Sequence, residues 1–380
     1  MSVKISQNYK YINSTNELID VSENLDQYSA IAVDLEADSM FHFKEKVCLI
    51  QIATEDYTIV IDPLTIGDLS SLKPIFENKN IKKIFHGSDY DIRSLHRDFD
   101  FEINNLFDTE LACRFLGEKH TGLSTILEKR YDIKLDKRYQ KKDWSQRPLP
   151  QGMVDYGAKD VFFLISLASE LEKELENKGR ISWISEECEI LSKVRANMNN
   201  KEHLFMKVKG AGRLNSRSLG ILESLCALRI RYAKQKDKPL FKIMSNESLL
   251  KLSVKKPVTK DHLKKLKILS PKQISMFGND IVSVIHDAMD ISSKDLPVYP
   301  RKKPPALKPE VPLRIKNLKK WRDKKAMNLS LDPSLIINKA LINSLAIQNP
   351  KSVDALDKLV QMRFWQKNEF GDEIVKSLKI

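Results

Sequence analysis

Short apolar runs and amphipathic stretches alternate through the first two hundred residues. Tyr9-Lys10-Tyr11-Ile12 predicts a strand, and a helix follows from Ser14 through Tyr28 with Ser14 or Thr15 as its cap. Three apolar runs come next at short spacing: residues 30–36, Val47 to Ala53, and Tyr57 to Asp62. Glu55-Asp56 forms a turn between the last two, which predicts an antiparallel meander. A helix is expected over about 68–78. The short apolar run Lys83 to His86 stops at Gly87, and a helix from Asp89 carries Ile92, Leu95 and His96 on one side. Leu106-Phe107-Asp108 reads as another strand, with helices at Glu110–Leu116, 123–130, 150–175 and 181–198. Strands first, then strands alternating with helices, predict one α/β domain with a mixed sheet.

After about residue 205 the strand signals nearly vanish and a repeat replaces them. Leu225, Leu228, Arg229 and Ala233 recur as Leu318, Trp321, Arg322 and Ala326. Leu252 and Pro257 recur as Leu345 and Pro350, Leu263 and Leu266 as Leu356 and Leu359, and Phe277-Gly278 as Phe370-Gly371, always at an offset of 93. One constant offset over so many positions marks a duplicated helical module. The stretch from Pro297 to Pro312 holds six of the chain's 15 prolines, a composition suited to an extended linker. The expected boundaries are an α/β domain over 1–205, a first helical module over 210–292, a linker over 293–313 and a second module over 314–380. Arg301-Lys302-Lys303 in the linker reads as a solvated basic run, with a nuclear localisation signal as the other reading.

Charge sharpens this division. Residues 1–200 carry 26 Lys and Arg against 34 Asp and Glu, a net −8, whereas residues 201–380 carry 38 against 17, a net +21. A polyanion is drawn to such a half through counterion release; an anionic surface and plain solubility are the alternatives. No apolar run approaches the roughly 20 residues that span a bilayer, and Met1 to Gln7 lacks a secretory apolar stretch. Cys48, Cys113, Cys188 and Cys226 are scattered without metal spacing and read as buried thiols of a reducing compartment. The expectation is a cytoplasmic protein with no membrane contact and no required protein partner.

The candidate chemistry lies in the acidic half. Ala30 to Val33 leads into Asp34-Leu35-Glu36, and strand alternation puts both carboxylates on one face. Read alone, this is a strand end entering an acidic loop. Asp91 follows a buried strand at the start of a helix. Asp160 follows Tyr156 by four residues, so the two share a helix face, and Val161 to Leu164 packs that helix into the domain. Four carboxylates without basic residues at matching positions suggest oxygen ligands for two hard divalent ions, an arrangement that clamps a phosphodiester for in-line displacement.

The strings VDLEAD, FHGSDYDIRSLHRDF, FDTELACRFLG, DWSQRPL and YGAKDVFFL, in this order, resemble the DEDD exoribonucleases of the ribonuclease D type, over roughly residues 28–170. The duplicated module resembles the HRDC domain of RecQ helicases and ribonuclease D. The resemblance implies a ribonuclease H-like mixed-sheet exonuclease domain followed by two small all-α HRDC-like modules. It implies that Asp34, Glu36, Asp91 and Asp160 ligate two ions, Mg²⁺ or Mn²⁺, and that Tyr156 orients the attacking water, which marks the DEDDy branch. Asp108 is expected to cap the next helix. Met40, His42 and Phe43 are candidates for stacking on the last nucleotides, or for ordinary loop packing. Trp144 and Arg147 either contact the strand or brace the helix behind it. Met153 and Gly157 depart from the Gln and Ala common in the family. The implied activity is 3′→5′ trimming of tRNA precursors and other small structured RNAs, with release of nucleoside 5′-monophosphates. A 3′→5′ exodeoxyribonuclease and a catalytically vestigial RNA-binding scaffold are the alternatives. On this reading a 1–205 fragment retains the chemistry and the basic half supplies RNA affinity.

Overall fold

The computed structural model describes residues 9–196, 202–300 and 307–379. The apolar runs become strands β1 (Tyr9–Ile12), β2 (Ala30–Ala37), β3 (Val47–Ala53), β4 (Thr58–Ile61), β5 (Lys82–Phe85) and β6 (Leu106–Asp108). They form one sheet in the order β1-β4-β3-β2-β5-β6. The pairs β2–β3 and β3–β4 are antiparallel, as the Glu55-Asp56 turn predicts, and β1–β4, β2–β5 and β5–β6 are parallel. Every residue of β3 is buried, Gln51 included, which accounts for a run that is otherwise apolar.

Three helix predictions change, the simplest being that the helix expected over 181–198 ends at Ser192. The stretch expected as one helix over 150–175 is two helices, Gln151–Phe162 and Leu164–Asn177, with Phe163 between them at φ −97, ψ −5. The break sets the Phe163 ring against Tyr131, with ring centroids 6.3 Å apart. The helix expected over 68–78 is a 3-10 turn, Ser70–Leu72, followed by Lys73–Glu77, whose start is fixed by Pro74 in its first turn.

The duplication is visible in detail. Helices Ser216–Lys236, Leu240–Ile243, Asn246–Lys255 and Pro271–Asp290 reappear as Val311–Leu329, Pro333–Ile336, Lys339–Gln348 and Phe364–Ser377. Gln273 Nε2 donates to the Ile243 carbonyl at 2.8 Å, and its counterpart Gln366 donates to Ile336 at 2.9 Å. The left-handed C-caps Asp237 and Lys256 return as Ser330 and Asn349. Arg301-Lys302-Lys303 lies outside the described residues.

The chain divides into two compact units, the first drawn from Met1–Ala37, Val47–Ala196 and Pro305–Ile380, the second from Asp38–Lys46 and Asn197–Pro304. In the first unit the second helical module shares the core of the sheet domain. Trp365 stacks on Trp183 at 4.5 Å between centroids and meets Phe115 edge-on at 5.7 Å. The Glu186 carboxylate accepts from the Phe364 and Trp365 amides at 2.7 and 2.8 Å, capping a helix 178 residues away in the chain. Gly117 lies at this junction with φ +93, and a Cβ on it would stand 2.3 Å from the Ser330 carbonyl oxygen. Cutting at residue 205, the expected domain boundary, would expose the Phe115 and Trp183 rings. The second unit has its own core around Phe205, Leu222, Leu225, Phe277 and Ile281, with Phe43 packed against it.

Replacing Trp365 by Ala should cost the first unit about 3–5 kcal/mol, read from chemical denaturation of the full chain. Its neighbour Phe364 is 67% exposed, and its replacement by Ala should move stability by no more than about 0.5 kcal/mol.

Candidate active site

On β2 the burial pattern alternates as the pleat requires. Leu35 is buried, while Asp34 and Glu36 are half-buried and share a face. Asp34 stands opposite Gln51 of β3, and the register shifts just after Glu36. Asp38, beyond that irregularity, spends one oxygen on the Lys46 amide at 2.8 Å and shapes the following loop.

The helix Gln151–Phe162 brings Tyr156 and Asp160 to the same cleft. Gly157 faces the sheet, and a Cβ there would lie 2.7 Å from Gln51 Nε2 and 3.3 Å from Leu49 Cδ2. A helix-interior Gly costs about 1 kcal/mol relative to Ala, and here it leaves room for the buried Gln51 side chain. Met153 is buried with Leu49, Val60 and Trp144, so this departure is a packing one.

Asp91 is buried in the first turn of the helix Asp89–Phe99. The loop before it is held by Asp108, which accepts from the Gly87 amide at 3.0 Å, the Ser88 amide at 2.7 Å and the Ser88 hydroxyl at 2.7 Å. Asp108 also accepts from the Glu110 and Leu111 amides, as the cap of Thr109–Leu116.

Asp34, Glu36 and Asp160 each offer a carboxylate oxygen, all within 4.8 Å of one another. The cleft around them is about 340 Å³, and His86, Ser124, Thr125, Lys137, Gln140 and Tyr156 also line it. Burial raises the Asp34 carboxyl to about 6. Burial and then the Asp34 charge raise Asp160 to about 8. Glu36 rises to about 10 through burial and then the charges of Asp34, Asp160 and Asp91. Asp91 is pushed well above the usual carboxylate range, first by burial and then by Asp34. A divalent cation between these oxygens would relieve the repulsion, and an all-oxygen donor set suits a hard ion. The residues present therefore fit divalent metal ions. Tyr156 hydrogen-bonds Asp160, and its hydroxyl is raised by burial and then by the Asp160 and Glu36 charges, so it stays protonated.

The substrate candidates separate. Trp144 is 1% exposed and tilts against the Tyr156 ring at 6.0 Å, so it has no face to offer a base. The Arg147 guanidinium makes a two-point bond to the buried Asp62 carboxylate at 2.6 Å and also donates to the Cys48 and Trp144 carbonyls. Trp144 thus packs against the helix Gln151–Phe162, and the Arg147 guanidinium is committed to Asp62 and to backbone carbonyls. His42 and Phe43 are engaged within the second unit, and Met40 is 47% exposed. The sequence reading passed over His86, whose Nδ1 lies 2.9 Å from Thr109 Oγ1, along with Gln140 and the helix start at Ser124 and Thr125. The Thr-Gly-Leu-Ser string at 121–124 is the one sequence signal for that wall.

Residues 9–176 match the 3′-5′ exonuclease family, and residues 218–285 and 313–378 each match the HRDC domain. Sheet, acidic cleft and duplicated module thus define a 3′→5′ exonuclease with two HRDC domains. Ribonuclease D of Zymomonas mobilis is 30% identical over 295 residues, 77% of this chain and 75% of that protein. The chain belongs to the ribonuclease D family of 3′→5′ exoribonucleases. Protein RRP6-like 3 of Arabidopsis thaliana is 28% identical over 287 residues, 69% of this chain, and this chain spans 32% of that longer protein. The crystal structure of Escherichia coli RNase D superposes with a TM-score of 0.72 at 24% identity, covering 98% of both chains, which shows a common fold.

The raised carboxyls have a consequence for stability. Unfolded, they lose their protons near pH 4. Folded and metal-free, Asp34 and Asp160 hold theirs to about 6 and 8, so stability falls as pH rises between 5 and 8. The rise in melting temperature on adding Mg²⁺ should therefore be larger at pH 8 than at pH 5, as scanning calorimetry would show.

Proposed function

We propose that this chain trims the 3′ ends of tRNA precursors and other small structured RNAs in the cytoplasm, one nucleotide at a time, releasing nucleoside 5′-monophosphates. The observation that carries the reading is the set of Asp34, Glu36 and Asp160 oxygens within 4.8 Å of one another, with Asp91 acting electrostatically on Glu36. Two divalent cations, Mg²⁺ or Mn²⁺, held by Asp34, Glu36, Asp91 and Asp160 would supply the charge that turns water into a nucleophile near neutral pH and offsets charge on the leaving 3′ oxygen.

The chain's own residues then have separable tasks. Asp34 and Glu36 present their oxygens from one strand face, and Asp160 presents its own from the opposite wall. The Tyr156 hydroxyl, still protonated and bonded to Asp160, orients the attacking water rather than taking its proton. The Trp144 ring packs against the Tyr156 ring and limits where its hydroxyl can go. Membership of the ribonuclease D family supports RNA as substrate, and the basic half of the chain supports RNA affinity outside the acidic cleft.

The test is digestion of a 3′-extended tRNA precursor beside a DNA strand of matching sequence. Wild type should release mononucleotides from the RNA with Mg²⁺ or Mn²⁺, and none once EDTA is added. Asp91→Ala and Asp34→Asn should each lower kcat at least a thousandfold, and Tyr156→Phe by about a hundredfold. Undiminished digestion in EDTA, or by Asp34→Asn, rejects the mechanism. Equal digestion of the DNA strand rejects the substrate assignment.

A further inference from the structure

The segment between the helices Leu123–Tyr131 and Gln151–Phe162 contains neither helix nor strand, and from Asp136 to Lys142 every residue but Tyr139 is exposed. Tyr139 packs against the buried cluster that holds Leu49, Val60, Trp144 and Met153. On either side of it in the chain, Lys137 and Gln140 line the acidic cleft. One aromatic anchor thus holds a loop that is otherwise polar and solvated.

That anchor bears on Tyr156. The Tyr139 and Tyr156 ring centroids are 6.0 Å apart with the planes at 61°, and Trp144 lies 6.0 Å from the same Tyr156 ring at 40°. Ring pairs attract at such separations and favour an inclined approach. Tyr139 also reaches the start of the helix that carries Tyr156. A Cβ on Gly152 would stand 2.6 Å from the Tyr139 hydroxyl oxygen. Gly152 is not among the residues with positive φ, so what it supplies is space for the Tyr139 ring rather than an unusual backbone.

We propose that Tyr139 is a positioning residue for the reaction: its ring fixes the Tyr156 ring, and so the Tyr156 hydroxyl, from the same loop that presents Lys137 and Gln140 to the cleft. A strand end that fills the cleft and holds this loop down therefore also aligns the hydroxyl. The proposal rests on the reading of Tyr156 as the residue that orients the attacking water, and adds a residue that acts through Tyr156 rather than on the RNA.

The experiment is steady-state digestion of a short oligoadenylate by the full chain with Mg²⁺, with kcat and KM measured separately. Tyr139→Leu, which removes the ring, should lower kcat about tenfold and change KM by no more than about twofold, since a misplaced group loses rate rather than ground-state binding. Tyr139→Phe, which keeps the ring, should restore kcat. Gly152→Ala should lower kcat to the same extent without lowering the melting temperature, because its methyl group displaces Tyr139 while Ala suits a helix. Gly152→Ala carries the test if Tyr139→Leu fails to fold. Adding Tyr139→Leu to Tyr156→Phe should cost nothing further, because both changes remove the same placed hydroxyl. Losses that multiply, a wild-type kcat in Tyr139→Leu and Gly152→Ala, or a change confined to KM overturn the proposal and leave the Tyr156 reading standing. A wild-type kcat in Tyr156→Phe overturns both.

Discussion

Like charges held within reach of one another are the constraint to which the first unit is built. Asp34, Glu36 and Asp160 would move apart if their backbones allowed it. The pleat of β2 fixes the first two, and the helix Gln151–Phe162 fixes the third. That helix cannot retreat. Gly157 lets it press on Gln51, Trp144 fills the space behind Tyr156, and Arg147 bonds to Asp62 from below. Asp91 is held by different means, through Asp108 and the loop it grips. The protein keeps a repulsive arrangement in a cleft of fixed shape, which is the preorganisation a cation site needs.

The other half of the first unit's stability comes from far along the chain. Trp183 and Phe115 would be apolar surface without Trp365, and Glu186 supplies the cap that starts the helix carrying it. The two HRDC domains are alike in fold but differ in role. One completes the core of the exonuclease domain, and the other has a core of its own and takes a loop from the sheet domain into it.

Much of this was legible in the residues. The β2–β3–β4 meander followed from apolar runs separated by Glu55-Asp56, and the duplication from its offset of 93. Alternation put Asp34 and Glu36 on one strand face, and a spacing of four put Tyr156 and Asp160 on one helix face, because both periods are local properties of the backbone; their roles came only with the resemblance. Contacts set by tertiary packing were not legible. Nothing in the string Glu-Glu at 186–187 says that it caps a helix near residue 364. The break at Phe163, which sets its ring against Tyr131, has no local signal, and nothing near Arg147 in the chain names Asp62 as its partner. Loop residues are the extreme case: His42 and Phe43 answer to Asp237, 195 and 194 residues away.

The stacked pair Trp183 and Trp365 also imposes an order of events during synthesis. At about 5–20 residues per second, roughly 10–40 s separate the emergence of the two rings from the ribosome. In that interval the sheet domain waits with an open aromatic face while the intervening first HRDC domain, which has its own core, can close. A nascent chain stalled before residue 365 is therefore an exonuclease domain with its apolar seam uncovered, a target for chaperones and proteases rather than a smaller enzyme.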